Sequence, residues 1–421
     1  MSDTLAPSVL TPLLDAARSA SLALASATTL QKNAALNAIA DALRQNVPAI
    51  IEANERDRSR GRENGLSTGL LDRLMLDETR VLALADAVVA ITGLTDPVGE
   101  VVSGSSLPNG VKISQVRVPF GVVGVIYEAR PNVTVDIAAL ALKSGNAAVL
   151  RGGSAAEESN KVLVGLIQQA LASVGLPAEA VQTIDAFGRD GAALLMKARG
   201  YIDVLIPRGS ANLINTVVAE STVPVIETGA GVVHIFLDES ANATWAEDIV
   251  HNSKVQRPSV CNALETLLVH EKAADRLLAP VLGRLAASGV TIHGDERVQA
   301  AFPAAVPATE DDWSTEYMSL DLAVRVVTSL DEAMEHIRRY STKHTESIIT
   351  SDVVNAERFL NEVDAAAVMV NASTRFTDGG EFGFGAEVGI STQKLHARGP
   401  MGLPELTSTK WIVRGMGQVR A

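Results

Sequence analysis

The sequence is poor in cysteine, because Cys261 is the only one among 421 residues. A disulfide framework needs at least two cysteines, so the sequence excludes one and fits a reducing compartment. A cysteine-based zinc site is excluded as well, and the seven histidines show no H-x-x-x-H spacing. We therefore expect a protein without a bound metal.

Long apolar runs are also missing, and none approaches the ~20 residues that a membrane-spanning helix needs. The segment Ser19–Ala27 superficially resembles a signal peptide. However, Asp3 and Asp15 stand where such a peptide carries basic residues, and Arg18 interrupts the apolar stretch. The pattern predicts an amphipathic helix and a cytoplasmic protein that has no membrane partner.

Basic residues are also scarce in comparison with acidic ones. Lysine and arginine total 36 residues against 49 aspartates and glutamates, which gives a formal net charge of −13. This balance argues against broad binding to nucleic acid or to anionic membranes. Small anionic ligands remain compatible with it, since local cations and backbone N–H groups can bind them.

Residues 8–94 carry apolar stripes at helical spacing, which predict a helical segment. Residues 95–118 are rich in turn formers and end in Val111–Val118, whose strict alternation predicts a half-exposed strand of a hairpin. Such a hairpin either pairs with another subunit or lies on the surface without a partner, and the sequence favours neither. The tail Thr409–Gly415 also reads as a strand and is a natural partner for the hairpin.

From residue 121 onward, continuous apolar strands alternate with helices, which predicts parallel sheets covered on both faces. The first series of predicted strands is 122–127, 147–150, 181–184, 202–206 and 224–226. The second series is 232–237, 264–269, 324–327, 347–350 and 366–370. The turn Glu227–Gly231 separates the two series. The predicted fold class is therefore α/β with two parallel-sheet units.

Cys261 lies in the second series, between a helix that Arg257, Pro258 and Ser259 interrupt and the predicted strand Ala263–Val269. Loops between helices and strands often carry the chemistry of α/β enzymes. The neighbouring cations Lys254 and Arg257 could lower the pKa of the thiol and so make it a nucleophile. The alternative is a small buried side chain with no catalytic role.

Two short glycine turns follow predicted strands, although the chain has neither a G-x-G-x-x-G nor a Walker A motif. They are Arg151–Ser154 and Pro207–Ser210. A Gly-Ser turn that opens a helix exposes N–H groups and the positive helix end, which suit a pyrophosphate. Each turn alone could be an ordinary connection. Two of them in one sheet, each with an arginine, favour a cofactor that carries phosphate.

Five further polar side chains lie at strand ends or in the glycine-rich segment 372–402. Asn132 could donate to a developing oxyanion or merely cap a helix. Arg130 could bind an anionic substrate or pair with a structural carboxylate. Glu227 could be a general base or an acceptor for backbone N–H groups. His396 and Arg398 could bind anions or order their loop.

The order of these features resembles the aldehyde dehydrogenase superfamily over nearly the whole chain. The matching features are Asn132 between a strand and a helix, the Gly-Asn-x-x-Val run at 145–149, the Gly209-Ser210 turn, Glu227 before glycines, and Cys261. The longer motifs Tyr127–Asn132, Arg257–Asn262 and Gly389–Leu403 are similar to those of its gamma-glutamyl phosphate reductase branch.

The resemblance implies an aldehyde dehydrogenase-like fold with two Rossmann-like domains and a β-hairpin oligomerisation flap. The expected domains are a cofactor-binding domain at 1–97 and 119–228, a catalytic domain at 229–385, a flap at 98–118 and 403–421, and an interdomain loop at 386–402. The implied activity is NADPH-dependent reduction of L-glutamyl 5-phosphate in proline biosynthesis. A homo-oligomer is implied, and an association with the glutamate kinase that makes the acyl phosphate is left open.

The resemblance also implies roles for individual residues. Cys261 matches the nucleophile and Asn132 the oxyanion donor. The cofactor-binding residues implied are Arg208, Gly209 and Ser210 at the pyrophosphate, Glu316 at the nicotinamide ribose, and Arg151 and Ser154 at the adenosine end. At that end, Arg151–Ser154 replaces the usual Lys-Pro-Ser, so Arg151 is expected at a 2′-phosphate.

The candidates for binding substrate or phosphate are Arg130, Lys254, Arg257, His396 and Arg398. Two alternatives remain beside the reductase. One is an aldehyde dehydrogenase in which Glu227 activates water to hydrolyse the thioester. The other is a non-catalytic scaffold that buries Cys261. The Thr-Gly-Ala-Gly that follows Glu227 departs from the Leu-Gly-Gly of hydrolytic members, which argues against the first.

Overall fold

The computed structural model describes residues 9–128 and 130–420, apart from the side chain of Thr68. The chain divides into two compact units. Unit 1 contains Met1–Glu227, Gly383–Gly389 and Met401–Ala421, and unit 2 contains Thr228–Phe382 and Ile390–Pro400. Each unit holds a sheet of parallel strands and several helices, so the α/β fold class predicted from the sequence is confirmed.

Helices and strands are numbered in chain order. The helices are α1 (Thr11–Ala25), α2 (Thr29–Gln45), α3 (Val47–Glu63), α4 (Thr68–Leu74), α5 (Glu78–Thr92), α6 (Pro131–Lys143), α7 (Glu157–Ser173), α8 (Gly188–Met196), α9 (Ala211–Glu220), α10 (Ala243–Val255), α11 (Glu271–Ala287), α12 (Glu296–Ala301), α13 (Leu330–Tyr340) and α14 (Val353–Glu362). The strands are β1 (Val101–Ser106), β2 (Lys112–Pro119), β3 (Val122–Tyr127), β4 (Ala147–Arg151), β5 (Val181–Thr183), β6 (Val204–Arg208), β7 (Val233–Leu237), β8 (Leu264–His270), β9 (Thr291–Gly294), β10 (Val306–Pro307), β11 (Asp321–Val327), β12 (Thr345–Ile349), β13 (Ala367–Val370), β14 (Gly389–Ser391), β15 (Gly399–Met401) and β16 (Thr407–Arg414).

The parallel sheet of unit 1 has the strand order β5-β4-β3-β6. Every residue of β3 is buried, as expected for a continuous apolar strand covered on both faces. The chain moves outward from β3 to β4 and β5, and then returns to the other side of β3 to form β6. The crevice between the carboxyl ends of β3 and β6 is therefore the switch point at which such sheets bind ligands.

A second, antiparallel sheet of unit 1 has the order β1-β2-β16. The tail strand β16 pairs with β2 from Thr407 opposite Pro119 to Arg414 opposite Lys112. The predicted hairpin and its pairing with the tail are thus confirmed. Whether this sheet joins subunits stays a prediction.

The sheet of unit 2 is parallel and has the order β10-β9-β11-β8-β7-β12-β13. Its central strands β7, β8 and β12 are buried along their whole length. Leu267, Val269 and Leu277 belong to one apolar core, and Phe236, Ile348 and Phe359 belong to another. Such burial on two faces is what the second series of apolar strands predicts.

The predicted strand at 224–226 is wrong, and the short strands β9 and β10 were not predicted. Residues 224–226 form only a single bridge, between Val225 and Leu205, because Pro224 has no N–H with which to continue the ladder. Strands β9 and β10 were missed, because they are only four and two residues long and follow no clear apolar alternation. Among the described residues, none of the helices is both long and apolar enough to cross a membrane.

Candidate active site

Cys261 lies in the loop that joins α10 to β8 in unit 2. The helix ends at Val255, and a backbone hydrogen bond of 3.0 Å from the Ala263 N–H to the Val260 carbonyl closes a turn around the cysteine. The thiol residue is partly exposed. The loop therefore presents the only sulfhydryl of the chain at the amino end of β8, and not at the carboxyl edge where ligands of parallel sheets usually bind.

Gly231 packs closely against this loop. A Cβ atom added to Gly231 would lie 1.5 Å from the carbonyl oxygen of Cys261 and 3.0 Å from its Cα. No side chain fits there without moving the cysteine backbone. The glycine of the Glu227–Gly231 turn is thus explained by close packing against the loop of Cys261.

Asn262, the residue after Cys261, also holds this loop in place. Its buried side chain donates to the Thr377 carbonyl at 2.9 Å, and its own carbonyl accepts the hydroxyl of Thr374 at 2.7 Å. Hydrogen bonds on both sides of one buried residue fix the backbone direction at Cys261. The conformation of the cysteine therefore depends on the segment that follows β13.

Glu316 is brought to the same loop. Its Oε1 accepts the Gly231 N–H at 2.7 Å, and burial raises the pKa of its carboxyl. The residue predicted at the nicotinamide ribose is thus connected to Cys261 through Gly231. Glu316 and Cys261, which are both predicted site residues, are thus linked through Gly231 within unit 2.

Lys254 has a different environment from the one its sequence position suggests. Its Nζ lies 2.6 Å from Oε2 of Glu265, and both side chains are completely buried. Burial lowers the pKa of Lys254 and raises that of Glu265 to about 7, while the attraction between the two opposes both shifts. Lys254 therefore belongs to an internal ion pair, and we leave it out of the set of phosphate-binding candidates.

Arg375 interacts electrostatically with Cys261 and with Arg257. Arg257 is exposed, four residues before the cysteine. Arg375 lies in the short turn Thr374–Phe376, which Asn262 holds against the loop. Arg375 was not predicted from the sequence, although its position shortly after the last predicted strand of the second series was a usable signal.

His396 and Arg398 lie in unit 2, in the segment between β14 and β15. His396 is exposed and has a left-handed backbone, with φ 64°. Arg398 Nη2 lies 2.8 Å from Asp364, and Lys394 binds the other oxygen of the same carboxylate at 2.8 Å. The hydrogen bonds from Lys394 and Arg398 lower the pKa of Asp364 to about 2. The pairing with Asp364 favours the loop-ordering role that the sequence left open for Arg398.

Asn132 lies in the first turn of α6 in unit 1, and it is not the helix cap. The cap position is Arg130, and Pro131 follows as the first helical residue. Asn132 Nδ2 donates to Asp136 Oδ2 at 3.1 Å. Since an amide nitrogen has two hydrogens, one remains for another acceptor once Asp136 has fixed the orientation. Burial raises the pKa of Asp136 to about 6.

The Gly209-Ser210 turn at the carboxyl end of β6 already binds an anionic group. Oε2 of Glu128 accepts the Ser210 N–H at 3.0 Å, and Oε1 accepts the Ser210 hydroxyl at 2.7 Å. A Cβ on Gly209 would lie 2.7 Å from the carboxyl carbon of Glu128. The amino end of α9 is therefore built to hold a carboxylate or phosphate, as its dipole and N–H groups favour. Arg208 precedes this turn.

The Arg151–Ser154 turn follows β4 in the same unit. The Arg151 Nε lies 3.4 Å from the Gly188 carbonyl, and the Ser154 carbonyl accepts Arg60 at 2.9 Å. The Gly152 N–H donates to Asp185 at 2.6 Å. Sequence analysis did not anticipate Glu128 or Asp185 at these turns, since both reach them through the folding of distant segments.

Metal ligands do not cluster in the described parts of the chain, where no group of three or more His, Cys, Asp and Glu side chains could hold an ion. The predicted site residues divide between the units. Unit 1 contains Arg130, Asn132, Arg151, Ser154 and Arg208–Ser210, and Glu227 is its last residue before the chain enters unit 2. Unit 2 contains Lys254, Arg257, Cys261, Glu316, His396 and Arg398.

Comparisons with known proteins agree with this picture. The model of the aldehyde dehydrogenase family matches residues 10–301. The gamma-glutamyl phosphate reductase of Leifsonia xyli subsp. xyli is 69% identical over 421 residues, which is 100% of both chains. That of Clavibacter michiganensis subsp. michiganensis is 68% identical over 97% of this chain and 94% of the relative.

A solved structure is similar in both sequence and fold. The crystal structure of gamma-glutamyl phosphate reductase from Thermotoga maritima has a TM-score of 0.96 and 48% identity, covering 98% of this chain and 100% of that one. The match therefore includes residues of both units. The chain therefore belongs to the aldehyde dehydrogenase family and, within it, to the gamma-glutamyl phosphate reductases.

Proposed function

We propose that the protein reduces L-glutamyl 5-phosphate to L-glutamate 5-semialdehyde and phosphate, with NADPH as reductant, in proline biosynthesis. The observation that carries the proposal is the 69% identity to a gamma-glutamyl phosphate reductase across the entire chain. The supported loop of Cys261 agrees with it, because acyl transfer to a thiol needs a nucleophile held in a fixed geometry.

The reaction proceeds through a thioester on Cys261. The Sγ thiolate attacks the carbonyl carbon of the acyl phosphate, the C–O bond to phosphate breaks, and phosphate leaves with that electron pair. Bound NADPH supplies the hydride that reduces the thioester. The resulting hemithioacetal releases the semialdehyde and regenerates the Cys261 thiolate. Two moderate barriers thereby replace one high barrier, since phosphate is a good leaving group.

The negative charge that develops on the carbonyl oxygen needs hydrogen-bond donors. The Cys261 backbone N–H is one, and the second is the Asn132 amide, whose remaining hydrogen is available because Asp136 takes the other. Glu227 is not an effective base toward water in this proposal. Water attack would hydrolyse the thioester and waste the acyl group.

The residues present suit a dinucleotide that carries phosphate. The Ser210 donors hold the Glu128 carboxylate, so they have the geometry for an anion, and Arg208 and Gly209 belong to the same turn. Arg151 and Ser154 are proposed at the adenosine end, where the arginine cation would favour the 2′-phosphate of NADPH over NADH. Glu316, held by the Gly231 N–H, is proposed at the nicotinamide ribose.

The protein is also proposed to be a cytoplasmic homo-oligomer. The sheet β1-β2-β16 exposes Val101, Trp411 and Val413, with 61%, 57% and 63% of each residue accessible. Large apolar side chains on an exposed sheet are typical of protein interfaces. An association with the glutamate kinase would bring the labile acyl phosphate directly to Cys261.

Turnover in the reverse direction tests the proposed function. L-glutamate 5-semialdehyde, NADP and inorganic phosphate are combined, each is omitted in turn, and NADPH formation is followed. Sustained turnover should require all three, and arsenate should replace phosphate. Rapid multiple turnover in phosphate-free buffer, lost in Glu227→Gln, would instead establish a hydrolytic aldehyde dehydrogenase.

A further inference from the structure

Arg375 is tied to the nucleophile loop by a network of hydrogen bonds. The segment 371–378 leaves β13 and contacts Thr350 near the carboxyl end of β12 and Thr345 at its amino end. On the way, Asn262 donates to the Thr377 carbonyl at 2.9 Å and to the Arg375 carbonyl at 3.5 Å. The backbone of Arg375 is therefore held directly beside the residue that follows Cys261.

Within the described part of the chain, the guanidinium of Arg375 is held along one edge. Its Nε donates to Gln256 Oε1 at 2.9 Å. Among residues 9–128 and 130–420, no carboxylate oxygen lies within 4.0 Å of it. The nearby Asp378 uses Oδ1 to accept the Gly380 N–H at 2.8 Å, which keeps that oxygen inside its own turn. Two N–H fork positions of Arg375 thus have no anion to bind.

Charged groups of both signs act on this guanidinium. Burial lowers the pKa of Arg375, Arg257 lowers it further by repulsion, and Asp378, Cys261 and Glu381 raise it. An arginine nonetheless stays protonated at neutral pH. Among the described residues, the half-buried Arg375 has no carboxylate within salt-bridge distance, so its guanidinium fork can bind a further anion near Cys261.

We propose that Arg375 binds the phosphate group of the acyl phosphate while Cys261 attacks its carbonyl carbon. The inference rests on the proposed function and adds a residue to it. The planar fork of a guanidinium matches two oxygens of a phosphate, and its partial burial strengthens the attraction. Gln256 orients the fork from behind, and Arg257 is the neighbouring cation.

The step is balanced without any proton transfer from Arg375. The Sγ–C bond forms, the C–O bond to phosphate breaks, and the electron pair of that bond stays on the departing phosphate. Arg375 remains a cation throughout and stabilises the charge that the phosphate gains. In the reverse direction it holds inorganic phosphate in position to attack the thioester carbon.

Reverse-direction kinetics of Arg375→Gln test this role. NADPH formation from L-glutamate 5-semialdehyde and NADP is measured over a series of inorganic phosphate concentrations. The KM for phosphate should rise about 10- to 100-fold, the loss expected for one charge-assisted contact. The KM for the semialdehyde should stay within about 3-fold. Arg375→Lys keeps the charge and loses the guanidinium fork. Its KM for phosphate should therefore lie between those of wild type and Arg375→Gln.

A rapid-mixing experiment without phosphate separates the two half-reactions. Wild type and Arg375→Gln should give the same initial burst of NADPH, since forming the thioester from semialdehyde does not involve phosphate. Added phosphate should then restore turnover in wild type at concentrations that leave the variant slow. Arg338→Gln, an exposed arginine on α13 that pairs with Glu335, is the matched control and should behave as wild type.

An unchanged phosphate KM in Arg375→Gln would overturn the inference, and so would a rise confined to the semialdehyde KM, because Arg375 would then bind the amino-acid end. A variant that fails to fold is recognised by thermal unfolding and NADP binding, and Arg375→Lys then carries the test. Wild-type turnover without phosphate would refute the proposed function itself, which distinguishes the two failures.

Discussion

Among single residues, the proposed reactivity of Cys261 depends on a neighbour that has no side chain. Gly231 packs so closely on the cysteine carbonyl that an added Cβ would overlap it at 1.5 Å. The same glycine donates its N–H to Glu316 at 2.7 Å. One residue therefore positions both the proposed nucleophile and a proposed cofactor ligand.

Gly231→Ala should lower kcat on the order of 10²-fold, since a displacement of about 1 Å at a reacting group has that effect. Steady-state kinetics measure it. The matched control is Gly283→Ala on α11, where the added methyl meets no atom within 4 Å and should leave kcat unchanged. Wild-type kcat in Gly231→Ala would show that the loop tolerates movement.

Asn132→Ala should lower the rate of the chemical step about 10²- to 10³-fold, the usual loss for one oxyanion donor. The KM should change less, because the oxyanion exists only in the transition state. Single-turnover rates of thioester formation measure the effect, with Asn361→Ala on the exposed face of α14 as control. Full turnover in Asn132→Ala would mean that the amide has only a structural role in α6.

The sequence indicated Cys261 and Asn132 as candidate site residues because their motifs are local and lie at junctions between elements. It did not identify Arg375, Glu128 or Asp136. Their roles depend on contacts formed in the folded chain, such as that of Glu128 with Ser210, 82 residues later. Lys254 shows the opposite case, since its charge looks available in the sequence and is neutralised by Glu265 in the structure.

At the scale of elements, the amino end of α9 holds a carboxylate where a pyrophosphate is proposed. Glu128 occupies both donors of Ser210, so a bound dinucleotide must displace it. Glu128→Gln removes the competing charge and should lower the Kd for NADPH about 2- to 5-fold, the range for one charge at a helix terminus.

Calorimetric titration at low salt measures this change. Glu220→Gln is the control, since Glu220 lies at the other end of the same helix and its side chain is exposed. An unchanged or higher Kd in Glu128→Gln would show that the carboxylate supports the cofactor site instead of competing for it.

The first turns of α6 carry a second testable charge, Asp136. Its pKa of about 6 in the folded protein lies above its ordinary value of 3.8, and burial is the main cause. The folded state thus binds this proton more tightly than the unfolded state does. The stabilisation of the folded state by this proton is present below about pH 4 and is lost as the pH rises through about 6.

Asp136→Asn keeps the acceptor for Asn132 and removes the titration. The free energy of unfolding of the variant, relative to that of wild type, should therefore increase by on the order of 1 to 3 kcal/mol as the pH rises from about 4 to about 7. Urea unfolding at a series of pH values measures this difference. A difference that is independent of pH would contradict the assignment of a raised pKa.

Most strands and helices were predictable, because apolar runs such as Val122–Tyr127 must be buried on both faces. The errors came from backbone chemistry and length. Pro224 prevents a strand at 224–226, and β10 is a two-residue edge pairing without its own pattern. The order β5-β4-β3-β6 could not be derived from the sequence, which shows where strands occur but not their neighbours.

At the scale of the whole molecule, the predicted chemistry divides between two α/β units. Unit 1 carries the glycine turns and Asn132, while unit 2 carries Cys261, Glu316 and Arg375. The alternation of strands and helices made both units predictable. A net charge of −13 is compatible with the binding of anionic ligands, because the proposed site uses a few arginines and backbone N–H groups in place of a basic surface.

The central claim is that Cys261 carries the acyl group as a thioester. It is tested by mixing the protein with L-glutamate 5-semialdehyde and NADP in phosphate-free buffer, quenching rapidly in acid, and analysing the intact protein and its peptides by mass spectrometry. We expect one glutamyl group on the peptide of Cys261, formed together with one NADPH, removed by inorganic phosphate, and absent from Cys261→Ser. NADPH formation without an adduct on Cys261, or undiminished turnover by Cys261→Ser, would contradict it.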